Sequence, residues 1–317
     1  MTGNDPRGTS PQNTAGLLLL NKSPGYTSFD SLNWVKKALG SRRVGHTGTL
    51  DKFASGLLVV LAGWALKLSP WFDRCDKHYQ GLIRFGMETD TLDSEGEPIA
   101  RAGPPSREAL EAALSRFQGD IMQEPPAYSA IHLDGKRAHE LARAGVEVKM
   151  AKRPVSIYKL ELRSYDPPDA WVYVHCSKGT YIRSLARDIA LAAGSRAHLS
   201  ALVRNRVAGF DIADAVPMDS PDMAAALRPV SPETFEALGI PWITVDDTAA
   251  KSIRQGKPLD RLLSTLPSVP GDDPMTAGVF SGGNSVTNNS PVFVALIVRK
   301  QGAGNSRWSY GYVHAGA

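Results

Sequence analysis

The sequence has few cysteines and lacks any long apolar run. Its two cysteines, Cys75 and Cys176, lie far apart in a chain of 317 residues, so no disulfide framework is indicated. The apolar stretches are much shorter than the about 20 residues that cross a bilayer. Residues 1–15 are polar and contain no apolar signal segment. These absences predict a cytoplasmic protein with a disordered tail at 1–15 and no contact with a membrane.

Motifs for common cofactors are also missing. The chain contains neither a GxGxxG dinucleotide fingerprint nor a GxxxxGK[ST] phosphate loop. Its seven histidines show no HxxxH pattern and no pairing with cysteine at metal-ligand spacing. The acidic stretch TDTLDSEGE at 89–97 is interpreted as a turn whose acids cap their own backbone. The sequence therefore predicts a reaction that uses no cofactor and no metal ion.

The charge of the chain is uneven. Hydrophobic residues make up 42% and charged residues 21%, as in an ordinary soluble globular protein. The formal net charge is +4, yet residues 178–206 alone hold six basic residues against one acid, Asp188, which is an excess of five. A basic cluster of this kind suits a polyanion such as nucleic acid, and the alternative is a solvated helix face.

Hydrophobic periodicity predicts an α+β fold with at least two domains. A small C-terminal β domain is indicated from about residue 241, because "VFVALIVRK" and "RWSYGYVHA" both have the composition of strands. The acidic, proline-containing stretch 216–250 is interpreted as a connector. Ser28 and Thr180 are predicted to cap the first and third helices, and Phe29 is placed on the buried face of the first. Strands are predicted at 16–21, 57–61, 79–85 and 171–176, and helices at 28–40, 106–117 and 180–193.

The segment RRVGHTGTLDKFASGLLVV at 42–60 places one carboxylate, Asp51, just before an apolar run. Gly45, Gly48 and Gly56 allow a tight, irregular backbone around it. A lone aspartate in such a setting is most often a turn or cap residue. The segment thus leaves two interpretations of Asp51, a turn residue or a functional carboxylate.

Within this segment, GHTGTLDKFASGLLVV closely resembles the catalytic motif GHxGxLDPxAxGxLxV of the TruB family of bacterial tRNA pseudouridine-55 synthases. Four further motifs agree in order and spacing, so the resemblance covers about residues 16–210. It implies a mixed central sheet with flanking helices and loops over 16–240, an RNA-gripping insertion at about 123–153, and a PUA-like β domain at 241–317. The further motifs are GLLLLNKSPGYTSFD, KHYQGLIRFGMETDTLDSEGEP, PPAYSAIHLDGKRAHELARAG and CSKGTYIRSLARDIA.

The resemblance implies that the protein isomerises uridine 55 in the TΨC loop of tRNA after the base has been flipped out. The reaction needs no cofactor, and Asp51 is the implied nucleophile, acting on C6 of the base, on C1′ of the sugar, or through a glycal route. By similarity Arg183 pairs with Asp51, Tyr79 stacks on the base, Tyr181 and Leu202 line the uracil pocket, and His46 fills the space that the base leaves.

The RNA partner is expected to contact the insertion through Lys136, Arg137, Lys152 and Arg153, and the family resemblance implies a monomer that binds the folded T-arm. Some positions depart from the family pattern: Lys52 replaces a proline, His132 replaces a lysine and His139 replaces an aromatic residue. Two other functions are alternatives, a tRNA-binding folding factor without activity and a glycoside hydrolase. A glycosidase requires two carboxylates that flank the bond, and the motifs supply one embedded acid.

Overall fold

The structure is a computed structural model that describes residues 15–129, 131–133, 136–138, 140, 144, 150–259, 276–282, 291–301 and 306–314. For residues 132–133, 136–137, 300–301 and 306–307 the description covers the backbone alone. All but the last residue of the predicted tail at 1–15, and much of the predicted insertion, therefore lie outside the described residues. His139 also lies outside them, and so do the side chains of His132, Lys136 and Arg137.

Strands and short helices alternate along the chain. The strands are β1 (Gly16–Lys22), β2 (Val44–Thr47), β3 (Ser55–Ala62), β4 (Lys77–Phe85), β5 (Met87–Thr89), β6 (Pro98–Arg101), β7 (Gly119–Gln123), β8 (His132–Leu133), β9 (Lys136–Arg137), β10 (Arg153–Asp166), β11 (Asp169–Cys176), β12 (Ala197–Val207), β13 (Phe210–Asp211), β14 (Val216–Pro217), β15 (Trp242–Val245), β16 (Thr276–Ser281), β17 (Val292–Gln301) and β18 (Ser306–Val313). The α-helices are α1 (Ser28–Leu39), α2 (Ser69–Phe72), α3 (Arg107–Ser115), α4 (Ile182–Ala192), α5 (Pro232–Ala237) and α6 (Asp247–Arg254), and 3₁₀ turns lie at Gly63–Leu68 and Ile212–Asp214.

Ten of the strands form one mixed sheet. Its main path runs β14-β1-β3-β12-β4-β11-β10-β7, with β2 beside β3 and β13 beside β12. The β1–β14 and β3–β12 pairs are parallel and the other pairs are antiparallel. A second sheet has the order β15-β16-β17-β18. The predicted α+β class, with a mixed central sheet and a small C-terminal β sheet, is confirmed.

Burial explains why the strands differ in sequence pattern. Alternate residues of β1 and β3 enter two different cores, so both strands are apolar throughout: Leu57 and Val59 lie in one core, and Leu58 and Val60 in the other. Strand β4 alternates instead, because only one of its faces is covered. Tyr79 and its neighbours at every second position enter a third core, and the residues between them face outwards.

Two predicted helix caps are wrong by one residue. Helix α1 is capped by Thr27, whose hydroxyl accepts from the Asp30 amide, and it ends at Gly40 in the left-handed conformation. Ser28 is instead buried, and Phe29, predicted to be buried, is 64% exposed. Helix α4 has Tyr181 at its N-cap, whereas the hydroxyl of Thr180 donates to the Ser177 carbonyl.

The stretch 216–250 is more structured than the predicted connector. It contains β14, α5, β15 and part of α6. The second sheet packs against the 3₁₀ turn Gly63–Leu68, where the ring of Trp64 stacks on Phe293 at 4.3 Å between centroids. No helix within the described ranges has the length and apolar character needed to cross a membrane.

Candidate active site

A cavity of about 910 Å³ opens beside the loop that joins β2 to β3. Its walls come from that loop, from the start of α1, from residues between β5 and β6, from the start of α4, and from β4 and β12. Five predicted site residues line it, although they lie up to 151 positions apart (51 to 202) in the chain: Asp51, Tyr79, Tyr181, Arg183 and Leu202.

Helix α1 anchors the loop that carries Asp51 through hydrogen bonds to the residue before it. The buried hydroxyl of Ser28 donates to the Leu50 carbonyl at 3.1 Å and accepts from the Leu50 amide at 2.8 Å. The Ala54 amide donates to the Asp51 carbonyl at 3.2 Å and closes a tight turn. The backbone on both sides of Asp51 is therefore fixed, and its carboxylate is presented to the cavity.

A buried lysine fixes the other side of the same loop. The Lys22 ammonium group, with no solvent exposure, donates to the carbonyls of Tyr26 at 2.7 Å and Ser23 at 3.1 Å. The Lys52 carbonyl lies 3.5 Å from this ammonium and accepts from the Gly25 amide at 2.8 Å. Burial lowers the pKa of Lys22 to about 8. Residue 52 thus contributes its backbone carbonyl to this anchor. A proline at the same position would supply the same carbonyl.

Arg183 makes a forked contact with Asp51. Its Nε lies 2.9 Å from one carboxylate oxygen of Asp51, and its Nη2 donates to the other at 3.1 Å. The guanidinium is 5% exposed and also donates to the carbonyls of Thr91 and Tyr128 at 2.7 and 3.0 Å. Its Nη1 lies 3.3 Å from a carboxylate oxygen of Asp93. Such a fork fixes the direction as well as the distance of the Asp51 carboxylate.

Two opposing effects act on the charge of Asp51. Burial raises the pKa of Asp51, the Arg183 guanidinium lowers it, and the nearby Asp93 carboxylate raises it further. The net direction is upward, because burial is the largest effect. Arg183 therefore offsets part of the cost of burying this charge, and a carboxylate held in this way can act as a nucleophile.

Tyr79 supplies a flat aromatic face beside this pair. It lies on β4 with 9% exposure and is paired across the sheet with Arg204 of β12. Burial raises the pKa of the Tyr79 phenol to about 12, so the group is neutral at physiological pH. The cavity thus brings together the fixed carboxylate of Asp51, the guanidinium of Arg183 and the aromatic ring of Tyr79.

Sequence comparisons agree with this geometry. A family model described as "TruB family pseudouridylate synthase (N terminal domain)" matches residues 36–182. The tRNA pseudouridine synthase B of Borreliella burgdorferi (strain ZS7) is 42% identical over 228 residues, which cover 71% of this chain and 81% of that protein. The corresponding protein of Bordetella avium (strain 197N) is 47% identical over 209 residues, which cover 65% and 86%. This chain belongs to the TruB family.

Solved structures give the same fold over nearly the whole chain. A crystal structure of a Cbf5-Nop10-Gar1 complex aligns with a TM-score of 0.66 and 22% identity, and the alignment covers 98% of this chain and 90% of that one. An H/ACA RNP bound to a substrate RNA containing 2′-deoxyuridine aligns with a TM-score of 0.64, with 21% identity and coverage of 94% and 84%. At these identities the likeness supports the fold, including the small C-terminal sheet.

Three charged residues of this TruB-family site were missed by the sequence analysis: Lys22, Asp93 and Arg204. Asp93 is buried, and one of its carboxylate oxygens accepts from the Thr91 hydroxyl and from the Glu95 amide. This agrees with the predicted self-capping turn. The expectation that the pocket motifs hold no second acid was wrong, however, because Asp93 also contacts Arg183.

Arg204 is held deep beneath the site with 1% exposure. Its Nε donates to the Leu57 carbonyl at 2.8 Å and its Nη2 to the Gly48 carbonyl at 3.0 Å. It lies opposite Gly56, where the backbone has a φ of 104° and a Cβ would lie 2.4 Å from the Arg204 carbonyl oxygen. The glycine therefore permits the close parallel approach of β3 and β12 that positions the loop. The sequence does contain a signal for a buried Arg204, because this basic residue occupies an inward position in the apolar strand ALVRNRV.

Tyr181 is held by its neighbours at the cavity rim. Gln123 both donates to the Tyr181 carbonyl at 3.0 Å and accepts from its amide at 2.8 Å. The guanidinium of Arg153 lies 4.9 Å from the centre of the Tyr181 ring and donates to the Gly179 carbonyl at 3.0 Å. Arg153, expected to grip RNA, is thus already engaged with the rim, and its contact with RNA stays a prediction.

Other predicted binding residues lie apart from the cavity. His46 lies on β2 and is not among the described residues that line the cavity, and burial lowers its pKa. Lys152 is exposed, and within the described part of the chain it forms no ion pair. The ammonium group of Lys52 lies 3.7 Å from a carboxylate oxygen of Glu95 in an exposed pair. The roles predicted for His46 and Lys152 require RNA and stay predictions.

Proposed function

We propose that this protein converts uridine 55 in the TΨC loop of tRNA to pseudouridine, with Asp51 as the nucleophile. One observation carries the proposal: the Asp51 carboxylate is held in a fork by Arg183 beside the ring of Tyr79. Membership of the TruB family and the names of the relatives, tRNA pseudouridine synthase B, support the reaction and the class of substrate.

The chemistry of this isomerisation fits a site with one reactive carboxylate. The N1–C1′ bond breaks, the base turns, a C5–C1′ bond forms, the proton on C5 is released to solvent, and N1 takes up a proton in exchange. Nothing is oxidised and no external group is added. The step requires a group that forms a temporary bond to the base or the sugar, and a fixed carboxylate does this. Asp51 takes that role in the proposal.

The cavity suits a base that has left its stack. Flipping a nucleotide costs a few kcal/mol, and stacking on an aromatic side chain returns about 1–3 kcal/mol per base. Tyr79 offers the stacking face, and Leu202 and Tyr181 lie in the same walls. In the proposal His46, on β2 outside the cavity, enters the space that the base leaves in the RNA.

Contacts with the rest of the tRNA are assigned to cations of the insertion and to the second sheet. Lys136, Arg137, Lys152 and Arg153 belong to the proposed insertion at about 123–153. The small C-terminal sheet at 241–317 is proposed to touch the acceptor end of the tRNA. In this scheme residues 16–240 form the catalytic domain, and binding depends on salt because phosphates supply much of the affinity.

The proposal is tested by replacing Asp51 and measuring tritium release from tRNA labelled at C5 of uridine. Asp51→Asn is expected to abolish release and to bind tRNA with nearly the affinity of the unchanged protein. The matched control is Asp166→Asn, an exposed carboxylate at the end of β10. Tritium release by Asp51→Asn at the normal rate would refute the nucleophile. Binding of folded tRNA by the intact protein without any release would favour the folding-factor alternative.

A glycosidase fits this site less well. Four acidic residues line the cavity, and the two that contact Arg183, Asp51 and Asp93, are held by the same guanidinium. They therefore lie on one side of the space for a substrate, whereas glycoside hydrolysis needs an acid on each side of the bond.

A further inference from the structure

Two histidines lie side by side on the outer face of the central sheet. His78 of β4 and His175 of β11 are directly paired across the strands, and their rings stack with centroids 3.9 Å apart and planes at 17°. Tyr79, the next residue along β4, faces the opposite side of the sheet. The two imidazoles are therefore separated from the proposed active site by the sheet itself.

A carboxylate lies at the edge of this histidine pair. Asp76 immediately precedes β4, and one of its oxygens contacts Nε2 of His175 and lies 3.8 Å from Nε2 of His78. One ligand atom from each of these three residues lies within 4.8 Å of the other two. All three side chains are partly exposed, at 36% for Asp76, 15% for His78 and 26% for His175.

We propose that Asp76, His78 and His175 bind one divalent transition-metal ion of the Zn²⁺ class. Imidazole nitrogens and a carboxylate oxygen are ligands that suit Zn²⁺, Co²⁺ and Ni²⁺. Bonds of about 2.0–2.2 Å place the ligand atoms of a tetrahedral ion about 3.3 Å apart. The 3.8 Å between His78 and Asp76 is within a small side-chain rotation of that value.

In metal sites, a histidine ligand normally forms a hydrogen bond through its other ring nitrogen, and His78 has a partner for such a bond. Nδ1 of His78 lies 2.6 Å from the hydroxyl of Tyr173, its neighbour on β11. A hydrogen bond at Nδ1 fixes the ring and directs the lone pair of Nε2 towards Asp76, as in known metal sites where the other ring nitrogen is held. The face of the sheet therefore orients the His78 ligand before a metal ion arrives.

A second cavity borders two of the three ligands and leaves room for a fourth ligand of the metal ion. This cavity has a volume of about 890 Å³, and Asp76 and His175 are in its wall together with Tyr158 and residues of the segment after α5. Three protein ligands with one open position are the arrangement of zinc sites that retain a water or bind a small ligand. The metal ion is thus accessible from solvent.

A search of the linear sequence does not find this site, because its histidines lie 97 positions apart (78 to 175) and meet only through the β4–β11 pairing. A bound metal ion is expected to link Asp76, the residue before β4, to the strands β4 and β11. Metal should therefore stabilise the fold, since it binds the native state and not the unfolded chain.

The test uses the untagged, metal-stripped, full-length protein. Co²⁺ is added, and its visible absorption reports a tetrahedral site; Zn²⁺ is then added in competition. We expect one equivalent to bind in the micromolar range or tighter and Zn²⁺ to raise the melting temperature. His175→Gln and His78→Gln should each weaken binding at least about 10-fold, and Tyr173→Phe should weaken it by about 10-fold.

The matched control is His314→Gln, a histidine near Trp64 and outside this cluster, which should bind the metal as the unchanged protein does. The glutamine variants keep a hydrogen-bonding side chain of similar length, and their melting temperature without metal shows whether they fold. Binding that is unchanged in both His78→Gln and His175→Gln, or only millimolar binding by the intact protein, overturns the proposal.

Discussion

Strand β4 presents two different chemistries on its two faces. On the cavity face, Tyr79 lies beside Asp51, whose carboxylate is paired with an arginine. On the outer face, His78 lies beside Asp76, whose carboxylate is paired with a histidine. One carboxylate stands at the centre of each group. The two faces differ in what surrounds that carboxylate, and the difference follows from the alternation of side chains along one strand.

The cavity face is rigid and the outer face is adjustable. Arg183 is 5% exposed and is fixed by backbone carbonyls as well as by acids, whereas His175 and Asp76 are 26% and 36% exposed. A buried cation held by several acceptors cannot change its partners without a large cost. Partly solvated imidazoles can exchange a carboxylate hydrogen bond for a metal ion. The comparison is consistent with the two proposals, catalysis on the cavity face and reversible metal binding on the outer face.

The largest effect is expected from Arg183→Lys, which tests the rigidity of the cavity face. Lysine keeps the charge but loses the fork that reaches Asp51, Asp93 and two carbonyls. We expect the single-turnover rate of pseudouridine formation to fall by about 10²–10³-fold, as when a preorganised donor is lost. Affinity for tRNA should change little, because Arg183 is buried beneath the site.

The matched control for Arg183→Lys is Arg187→Lys, one turn later on α4. Arg187 bonds the Glu124 carbonyl and Asp188, outside the cavity. Its replacement should change the rate by less than about 3-fold. Equal losses in the two variants would mean that the effect comes from helix α4 in general and not from the pair with Asp51.

The second prediction compares adjacent residues on the two faces of β4. Tyr79→Leu removes the aromatic face in the cavity, so we expect a loss of about 10–100-fold in the rate at subsaturating tRNA, equivalent to the 1–3 kcal/mol of stacking. Gln80→Leu alters an exposed side chain on the outer face and should leave the rate within about 2-fold. Tritium release measures both. Similar losses at the two positions would contradict the separation of the faces.

The sequence predicts the pairing of Asp51 with Arg183 but not what supports it. Both residues lie in long motifs that resemble those of a known family, so their meeting was expected. Lys22 and Asp93 look like ordinary surface charges in a linear sequence, and Arg204 is distinguished only by its inward position in an apolar strand. Their burial is a consequence of how β1, the 91–95 turn and β12 close around the loop. Buried charges of this kind are identified only when their backbone partners are known.

The wrong predictions of a helix cap at Ser28 and of a buried Phe29 also arise because tertiary contacts are not visible in the sequence. Thr27 and Ser28 are equally good helix caps by sequence, and the choice is made by Leu50, which binds the Ser28 hydroxyl from a distant loop. Phe29 fits the apolar periodicity of α1, yet it lies at the cavity mouth with 64% exposure. Periodicity describes which residues suit a core, and tertiary contacts decide which of them enter it.

The smallest effect concerns two cations that are adjacent in the sequence, Lys152 and Arg153. Lys152 is exposed, and among the described residues it forms no ion pair, so it is placed to contact phosphate. Lys152→Ala should weaken tRNA binding a few-fold and reduce the slope of log affinity against log salt concentration by about 1. Lys159→Ala, an exposed lysine that pairs with Glu161, serves as the control and should leave the slope unchanged.

Arg153→Ala should behave differently, although the charge removed is the same. Its guanidinium stacks on Tyr181 and bonds the Gly179 carbonyl, so its loss should loosen the rim more than it reduces phosphate contact. We expect a smaller change in salt slope than for Lys152→Ala and a few-fold lower single-turnover rate at saturating tRNA. Filter binding over a range of salt concentrations, together with single-turnover assays, separates the two variants. Identical slopes and rates would show that both cations bind the RNA backbone and that the support of Tyr181 by Arg153 has no catalytic consequence.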